Sequence, residues 1–253
     1  MNATVDSRDE SAGEWLRETV SIDAAYGGER VIIHLDLPTN AVPPFQPCIY
    51  FPGMNAREQS YFKEAYWENF DFMPRSGRVF VRPVFAHTYE RGGGHGRAGD
   101  KNLYKKWRQD LGRTIDYLAE RPDMDVEKVA YAGLSLGAVM VPYLCAMEDR
   151  IQSIIMIAGG ATDKMLFSYV GRVTTPLLML NGRYDYINPP ELSQIPFFER
   201  LGTPDKDKRH VVFETGHLPL PRGGMIKEIL AWLERYQNPV ILTGHSERHV
   251  QDR

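Results

Sequence analysis

Residues 133–137 of this chain read Gly-Leu-Ser-Leu-Gly, and this pentapeptide constrains the fold more than any other stretch. A short apolar run typical of a β-strand, residues 129–132, precedes it, and small and apolar residues of helical character follow it. A serine between two glycines at a strand-to-helix turn is the nucleophile elbow pattern. Such a turn brings the two backbones too close for side chains at Gly133 and Gly137. We therefore predict a strand, a strained turn and a helix, with Ser135 exposed as a nucleophile.

Apolar runs of the kind found in strands covered on both faces recur along the chain. They occupy residues 47–51, 78–84, 129–132, 151–158, 176–180 and 210–213. Helical patterns separate them at residues 103–118, 191–201 and 225–236, and residues 162–170 read as a short helical or irregular piece. Two earlier segments, residues 15–23 and 30–37, read as an antiparallel pair around an Ala-Tyr-Gly-Gly turn. This alternation predicts an α/β fold whose mostly parallel central sheet has about eight strands and is flanked by helices.

The length of 253 residues and the hydrophobic content of 43% fit one domain with a sizeable core. We predict a disordered N-terminal tail at residues 1–13, the domain at residues 14–236 and a polar C-terminal tail at residues 237–253. The net charge is −3, and Lys and Arg form no dense run. Nucleic acid and anionic membranes are therefore not expected partners, whereas a small, roughly neutral molecule is.

The chain has two cysteines, Cys48 and Cys145, and each lies in an apolar segment. Residues 1–14 lack the apolar core of a signal peptide, and no apolar run approaches the ~18 residues of a membrane span. These observations predict a cytoplasmic protein with two buried thiols.

Three candidate catalytic residues each follow a predicted strand: Ser135, Asp185 and His217. Their order along the chain is the order that α/β-hydrolases use. A serine hydroxyl needs a base to take its proton, and the base needs a carboxylate to hold its imidazole in the right tautomer. The three residues therefore predict a catalytic triad, and Asp163, which follows the strand at residues 151–158, is the alternative acid.

The other histidines fit the role of the base less well. They lie within predicted strands, before the elbow or in the C-terminal tail: His34, His210, His87, His95, His245 and His249. The glycine cluster at residues 92–96 lacks the Gly-Lys-Ser/Thr ending of a phosphate loop and does not open directly into a helix, so phosphate binding is not favoured.

The turn after the first central strand, Pro-Gly-Met-Asn-Ala at residues 52–56, lies where a hydrolase of this architecture needs backbone donors. We predict an oxyanion hole made by the N–H groups of Met54 and Leu136, since Pro52 has no N–H to donate. A plain strand terminator is the alternative interpretation of this turn.

Six aromatic residues crowd residues 59–72. They fit core packing against the sheet, and one or two of them could instead form a wall of an apolar acyl pocket. A long loop follows at residues 85–100, and loops of this length commonly overhang a site.

Taken together, four motifs resemble the dienelactone-hydrolase and acetyl-esterase-like branch of the α/β-hydrolase superfamily. They lie at residues 52–56, 133–138, 181–185 and 215–217, and the similarity spans about residues 14–236. The resemblance implies the α/β-hydrolase fold and an active-site-flanking loop at residues 82–91. From it we predict the substrate-binding residues Gly53, Asn55, Tyr89 and Glu90. Dienelactone hydrolases proper carry a cysteine where this chain has Ser135, so the resemblance implies a serine esterase.

Fifty residues separate Ser135 from Asp185, which is room for one strand, a short connection and another strand. No large cap domain fits in this interval, so the sequence predicts an open site. We expect a carboxylesterase that cleaves small, short- to medium-acyl esters through an acyl-enzyme on Ser135, with no metal and no organic cofactor. A peptidase or thioesterase with the same triad, or a noncatalytic regulatory module on this fold, is the alternative.

Overall fold

One β-sheet with helices on both faces forms the described part of the molecule. The computed structural model describes residues 1–11, 13–61, 70–92, 101–161 and 163–243. Its strands are β1 (Thr4–Asp9), β2 (Trp15–Asp23), β3 (Arg30–Pro38), β4 (Pro47–Phe51), β5 (Val79–Val84), β6 (Val129–Leu134), β7 (Ile151–Ile157), β8 (Leu177–Gly182) and β9 (Lys208–Phe213). Their order across the sheet is β1-β2-β3-β5-β4-β6-β7-β8-β9.

The pairing of the strands changes once across the sheet, from antiparallel to parallel. Strands β4 to β9 run parallel to one another, whereas β1, β2, β3 and β5 pair antiparallel in succession. The predicted α/β fold with a mostly parallel sheet is confirmed, and the described residues contain no large cap. The sheet has nine strands where the sequence predicted about eight.

The additional strand is β1, which lies where the sequence interpretation placed a disordered tail. All six residues of β1 are exposed, so the strand has no apolar face from which hydrophobic periodicity could predict it. Its backbone pairs with β2, and Arg8 Nε donates to Glu18 Oε2 at 3.1 Å. Main-chain pairing and polar contacts therefore hold this edge strand.

Seven α-helices in the described residues cover the sheet: α1 (Phe72–Arg75), α2 (Lys101–Glu120), α3 (Leu136–Val139), α4 (Val141–Leu144), α5 (Lys164–Tyr169), α6 (Ile195–Arg200) and α7 (Arg222–Gln237). Helix α2 buries the predicted apolar stripe, which consists of Leu103, Trp107, Leu111, Ile115 and Leu118. The helix after the elbow is divided at Met140, because Pro142 lies in the first turn of α4 and cannot donate a backbone hydrogen bond there.

Each face of the sheet carries its own hydrophobic core. Alternate residues of β4 point to opposite faces, so Ile49 and Phe51 join the core beneath α2, while Cys48 and Tyr50 join the core beneath α7. Both cysteines are buried and free, and burial raises the pKa of the Cys48 thiol to about 12. These thiols are packing groups, since the thiolate form is suppressed.

Beyond α7 the chain runs next to the segment that connects β3 to β4. Gln237 is fully buried, and Leu242 pairs with Ala41 in an isolated antiparallel bridge. The predicted polar tail at residues 237–253 therefore begins with the last residue of α7 and continues as a mostly exposed segment that pairs with Ala41. Residues 244–253 lie outside the described part. In the described ranges, no helix is both long enough and apolar enough to span a membrane.

Candidate active site

Ser135 lies in a strained turn between β6 and α3. Its φ is 48° and its ψ is −102°, a left-handed conformation that costs a non-glycine residue of the order of 1–3 kcal/mol. Main-chain contacts hold the turn from both sides: Ser135 N donates to Ile157 O at 2.8 Å, and Gly137 N donates to Pro52 O at 3.1 Å. The predicted strand, turn and helix are all present.

The two glycines of the elbow allow close approach of backbones. A Cβ atom on Gly133 would come within 2.5 Å of the Gly137 main chain, and one on Gly137 would overlap the carbonyl oxygen of Phe51. Tyr131 reinforces the turn from beneath, because its hydroxyl donates to Gly137 O at 2.8 Å. Any larger residue at either glycine would displace the serine between them.

Three side chains form a continuous hydrogen-bonded chain that ends at Ser135. The distance between Ser135 Oγ and His217 Nε2 is 2.9 Å, and the distance between His217 Nδ1 and Asp185 Oδ2 is 2.8 Å. The Asp185 side chain has no solvent exposure. In this arrangement Nδ1 carries the hydrogen and donates it to the carboxylate, so Nε2 is left to accept the serine proton.

The second oxygen of Asp185 is anchored by the backbone. Its Oδ1 accepts hydrogen bonds from the N–H groups of Ile187 and Asn188, both at 2.9 Å. Asn188 is itself buried, and its Nδ2 donates to Ala158 O at 3.1 Å. These contacts fix the direction in which Oδ2 points. Sequence reasoning missed Asn188, for which the only available signal was an amide three residues after the candidate acid.

Backbone pairing beyond the ends of β8 and β9 brings the acid and the base together. The parallel ladder continues into the turns, since Arg183 N donates to Phe213 O at 2.8 Å and Tyr184 N donates to Thr215 O at 2.9 Å. A Cβ atom on Gly182 would overlap the carbonyl oxygens of Thr215 and Gly216. The glycine of the Asn-Gly-Arg-Tyr-Asp turn therefore allows the turn that carries His217 to lie directly against it.

The alternative acid, Asp163, binds backbone N–H groups at the start of a helix. It is the N-cap of α5, and its Oδ1 accepts hydrogen bonds from Met165 N at 2.9 Å and Leu166 N at 3.0 Å. A carboxylate in this position stabilises a helix start.

Two of the other described histidines have hydrogen-bond partners away from Ser135, and His87 lies in the loop after β5 with a φ of 60°. His34 lies between Thr19, with Nδ1 3.0 Å from Oγ1, and Glu90, with Nε2 3.2 Å from Oε1. His210 lies on β9 with Nε2 3.2 Å from Asn181 Oδ1. The candidates at residues 95, 245 and 249 lie outside the described residues.

His210 should make stability depend on pH. Desolvation by burial lowers the pKa of His210 to about 4 from 6.5. Between these values the unfolded chain binds a proton that the folded chain does not, so the stability present above pH 6.5 is lost as the pH falls towards 4. We expect a loss of about 2 kcal/mol, allowing for the partial exposure of the ring.

Urea unfolding at pH 7.5, 5.5 and 4.5 measures this effect. The His210→Gln variant can still donate to Asn181 but cannot titrate, so its unfolding free energy should fall less steeply over this range than that of the parent chain. Equal slopes for the two proteins would assign the acid sensitivity to other groups.

The predicted oxyanion donors lie on two helical turns next to Ser135. Met54 begins the 3₁₀ turn Met54–Arg57, and Leu136 begins α3. The first N–H of a helical turn has no acceptor within that turn. The preceding residue, Gly53, brings the first turn against the elbow, since a Cβ atom on Gly53 would lie 3.6 Å from Ser135 Cβ. The participation of both N–H groups in an oxyanion hole stays a prediction.

Two other predicted substrate-binding residues lie behind this turn. Tyr89 is buried and packs with Ala56 of the 3₁₀ turn and with Val84. Glu90 contacts His34, as described above. Their direct contact with substrate stays a prediction, as does that of Gly53, and the packing indicates that Tyr89 supports the turn that carries Met54.

A cavity of about 320 Å³ lies on the face of the sheet covered by α7, and its lining includes Leu134 and Leu218, the chain neighbours of Ser135 and His217. It is bounded by Tyr50, Asn55, Phe70, Leu134, Ile157, Leu218, Pro219, Leu220, Arg222 and Met225. We name this space the α7 cavity. Asn55 was predicted to bind substrate, and Phe70 belongs to the aromatic segment from which a pocket wall was predicted; Phe62, Tyr66 and Trp67 lie outside the described residues.

Sequence reasoning missed most of the α7 cavity. It predicted a pocket wall from the aromatic segment, with the loop at residues 85–100 overhanging the site. The structure instead takes much of the wall from residues 218–225, which directly follow His217. The available signal was the apolar Leu-Pro-Leu-Pro run after the Thr-Gly-His turn. Across the described ranges, no group of three or more His, Cys, Asp or Glu side chains is arranged to hold a metal ion.

Solved structures share this architecture at low sequence identity. A cold-adapted esterase from an Arctic intertidal metagenomic library superposes with a TM-score of 0.71 at 16% identity, over 94% of this chain and 100% of the other. Acetyl xylan esterase from Paenibacillus sp. R4 superposes with a TM-score of 0.70 at 14% identity, over 93% and 89%. A predicted CIB-like hydrolase from Thermoplasma acidophilum gives 0.65 at 16% identity, over 87% and 99%.

No protein-family model and no curated protein sequence matches the chain. The structural likeness therefore shows the fold, which is the α/β-hydrolase fold that the sequence motifs implied.

Proposed function

We propose that this α/β-hydrolase-fold chain is a serine carboxylesterase that cleaves small, short- to medium-acyl esters. The observation that carries the proposal is the unbroken chain of hydrogen bonds from Ser135 through His217 to the buried Asp185, at an elbow built for an exposed serine. A hydroxyl whose proton can pass to an oriented imidazole is an activated nucleophile.

In the proposed reaction, Ser135 Oγ attacks the ester carbonyl carbon while His217 Nε2 takes the hydroxyl proton. The tetrahedral intermediate collapses as the bond to the leaving oxygen breaks, and the same proton passes from Nε2 to that oxygen. Water then attacks the acyl-enzyme with His217 as base, and the acid leaves with Ser135 restored. Asp185 stabilises the imidazolium that forms in each half of the reaction. The steps use neither a metal nor an organic cofactor.

We assign the oxyanion of each intermediate to the N–H groups of Met54 and Leu136. Both are the first N–H of a helical turn, and Gly53 brings the two turns together at Ser135. Fixed donors of this kind stabilise charge that develops only in the transition state.

The choice of esters is supported by the names of the structural neighbours, which include esterases and acetyl xylan esterases. Two free, buried thiols are consistent with the cytoplasmic location that the sequence predicts. The deciding measurement is a hydrolysis screen with nitrophenyl esters beside matched anilides and thioesters. Turnover of the ester should exceed that of the anilide by several powers of ten, whereas faster turnover of the anilide or the thioester would assign the site to a peptidase or thioesterase.

Acyl length should have an early optimum. Between β7 and β8 the described residues contain only α5 and a short 3₁₀ turn, so no inserted domain extends the acyl side of the site. Each buried CH₂ should add about 0.8 kcal/mol to transition-state binding until the available space is filled. We expect kcat/KM for nitrophenyl esters to rise over the first few acyl carbons and to fall sharply for long chains. An optimum at long chains, or activation at an oil–water interface, would contradict this prediction.

A further inference from the structure

The α7 cavity lies on the histidine side of Ser135. Leu134, directly before the serine, and Ile157, at the end of the neighbouring strand β7, form its floor. Leu218, Pro219 and Leu220, which directly follow His217, form one wall. A substrate bound at Ser135 therefore has an apolar space beside the imidazole.

We propose that the α7 cavity binds the alcohol part of the ester, and that this alcohol is apolar and carries a single ring or a branched chain. The proposal rests on the proposed function. His217 Nε2 must deliver its proton to the leaving oxygen, so that oxygen lies within hydrogen-bond reach of Nε2. The substituent on this oxygen meets residues 218–220 first, whereas the acyl substituent, bonded to the carbonyl carbon, extends away from the imidazole.

The size and lining of the cavity set the class of alcohol. A dry apolar cavity of about 150 Å³ holds benzene, so about 320 Å³ holds one ring with substituents. Most of the lining is aliphatic or aromatic, and Asn55 and Arg222 are its polar members. A few polar groups at the edge of an apolar pocket orient a ligand, and the pocket still favours an uncharged ligand.

The walls of the cavity are fixed by contacts on its outer side. Asp71 accepts hydrogen bonds from Arg75 Nε at 3.2 Å and from Arg222 Nη2 at 2.5 Å, and it thereby joins the start of α1 to the start of α7. Phe70 stacks on Phe80, with ring centroids 5.4 Å apart. These contacts are made without a ligand, so the cavity is preformed, and an alcohol that fits gains binding without rearrangement of the wall.

Acetate esters of methanol, ethanol, propanol, butanol and benzyl alcohol test the proposal. These alcohols are all weakly acidic, so the series varies size more than leaving-group ability. We expect kcat/KM to rise about fourfold for each added methylene, the equivalent of about 0.8 kcal/mol, until the cavity is full.

Met225 is the residue to change, because it lines the cavity from α7 and lies outside the hydrogen-bonded chain at Ser135. Met225→Trp should fill the space and leave kcat/KM nearly equal from methyl to benzyl acetate. Met225→Ala should move the optimum to larger alcohols, and it decides the question if the tryptophan variant does not fold. Met165→Ala is the matched control, since Met165 packs against the core on the opposite face. The Met165→Ala control should keep the parent alcohol profile and the parent rate of labelling by a small fluorophosphonate, and circular dichroism shows whether the Met225 variants are folded.

Each result decides the assignment. A shifted alcohol optimum with an unchanged acyl optimum supports it. A shifted acyl optimum with an unchanged alcohol optimum would show that the cavity binds the acyl part of the ester instead. An unchanged profile in both series would show that substrate does not enter the cavity. Failure of the proposed function looks different, because Ser135→Ala would then still hydrolyse every ester in the series.

Discussion

Replacing Ser135 with alanine is expected to lower kcat/KM for ester hydrolysis by about six powers of ten and to abolish covalent labelling by a fluorophosphonate. The hydroxyl oxygen is the end of the hydrogen-bonded chain with Asp185 and His217, and it is the nucleophile that this chain activates. Without it the base has no nucleophile to activate, and only binding and the oxyanion donors still act on the substrate.

The fold should survive this change. The Ser135 main chain keeps its hydrogen bond to Ile157, and alanine tolerates the left-handed turn about as poorly as serine does. Ser168→Ala is the control, because Ser168 is exposed on α5 and its hydroxyl donates to Met165 O. That variant should keep full activity and labelling. Mass spectrometry that finds the label on another serine of the parent chain would remove Ser135 from its assigned role.

Asp185→Asn should lower kcat by about four powers of ten while leaving the protein folded. The asparagine Oδ1 can still accept from the N–H groups of Ile187 and Asn188, so the local turn is preserved. Its amide NH₂, however, would face His217 Nδ1. This favours the tautomer in which Nδ1 accepts and Nε2 carries the hydrogen, so Nε2 can no longer take the serine proton.

Asp163→Asn is the matched control for this prediction. Asparagine is as good an N-cap as aspartate, so this variant should keep both activity and unfolding free energy within the range of ordinary surface changes. Circular dichroism and urea unfolding establish that both variants are folded, and single-turnover kinetics measure the loss. A large loss of kcat at Asp163 with little at Asp185 would reverse the assignment of the acid.

The sequence by itself determined the elements that are encoded locally. The strand at Pro47–Phe51 was predicted with its observed bounds, because a run of five apolar residues between turn-forming residues is typical of a strand covered on both faces. The elbow was predicted because two glycines around a serine meet a steric requirement that is set within a few residues of chain. Ser135, Asp185 and His217 were predicted to act together because each of them follows the end of a predicted strand.

Elements without an apolar pattern could not be predicted in this way. The strand Thr4–Asp9 is polar on both faces and is held by backbone pairing with β2, which leaves no periodic signal in its own residues. The mostly exposed segment at residues 238–243 likewise depends on distant backbone partners, since Leu242 pairs with Ala41 and Thr243 N donates to Asn40 O at 2.7 Å.

Only the tertiary structure shows which of the predicted acid and its alternative lies next to His217. Asp163 and Asp185 both follow parallel strands, but the β8–β9 ladder extends past the strand ends and carries the turn of Asp185 against that of His217, while Asp163 turns back to cap its own helix. The α7 cavity has the same origin, because strand ends, a turn and a helix far apart in the chain must converge to enclose it. Residue types and local spacing determine which groups can do chemistry, whereas the distances between them depend on long-range packing that no single segment encodes.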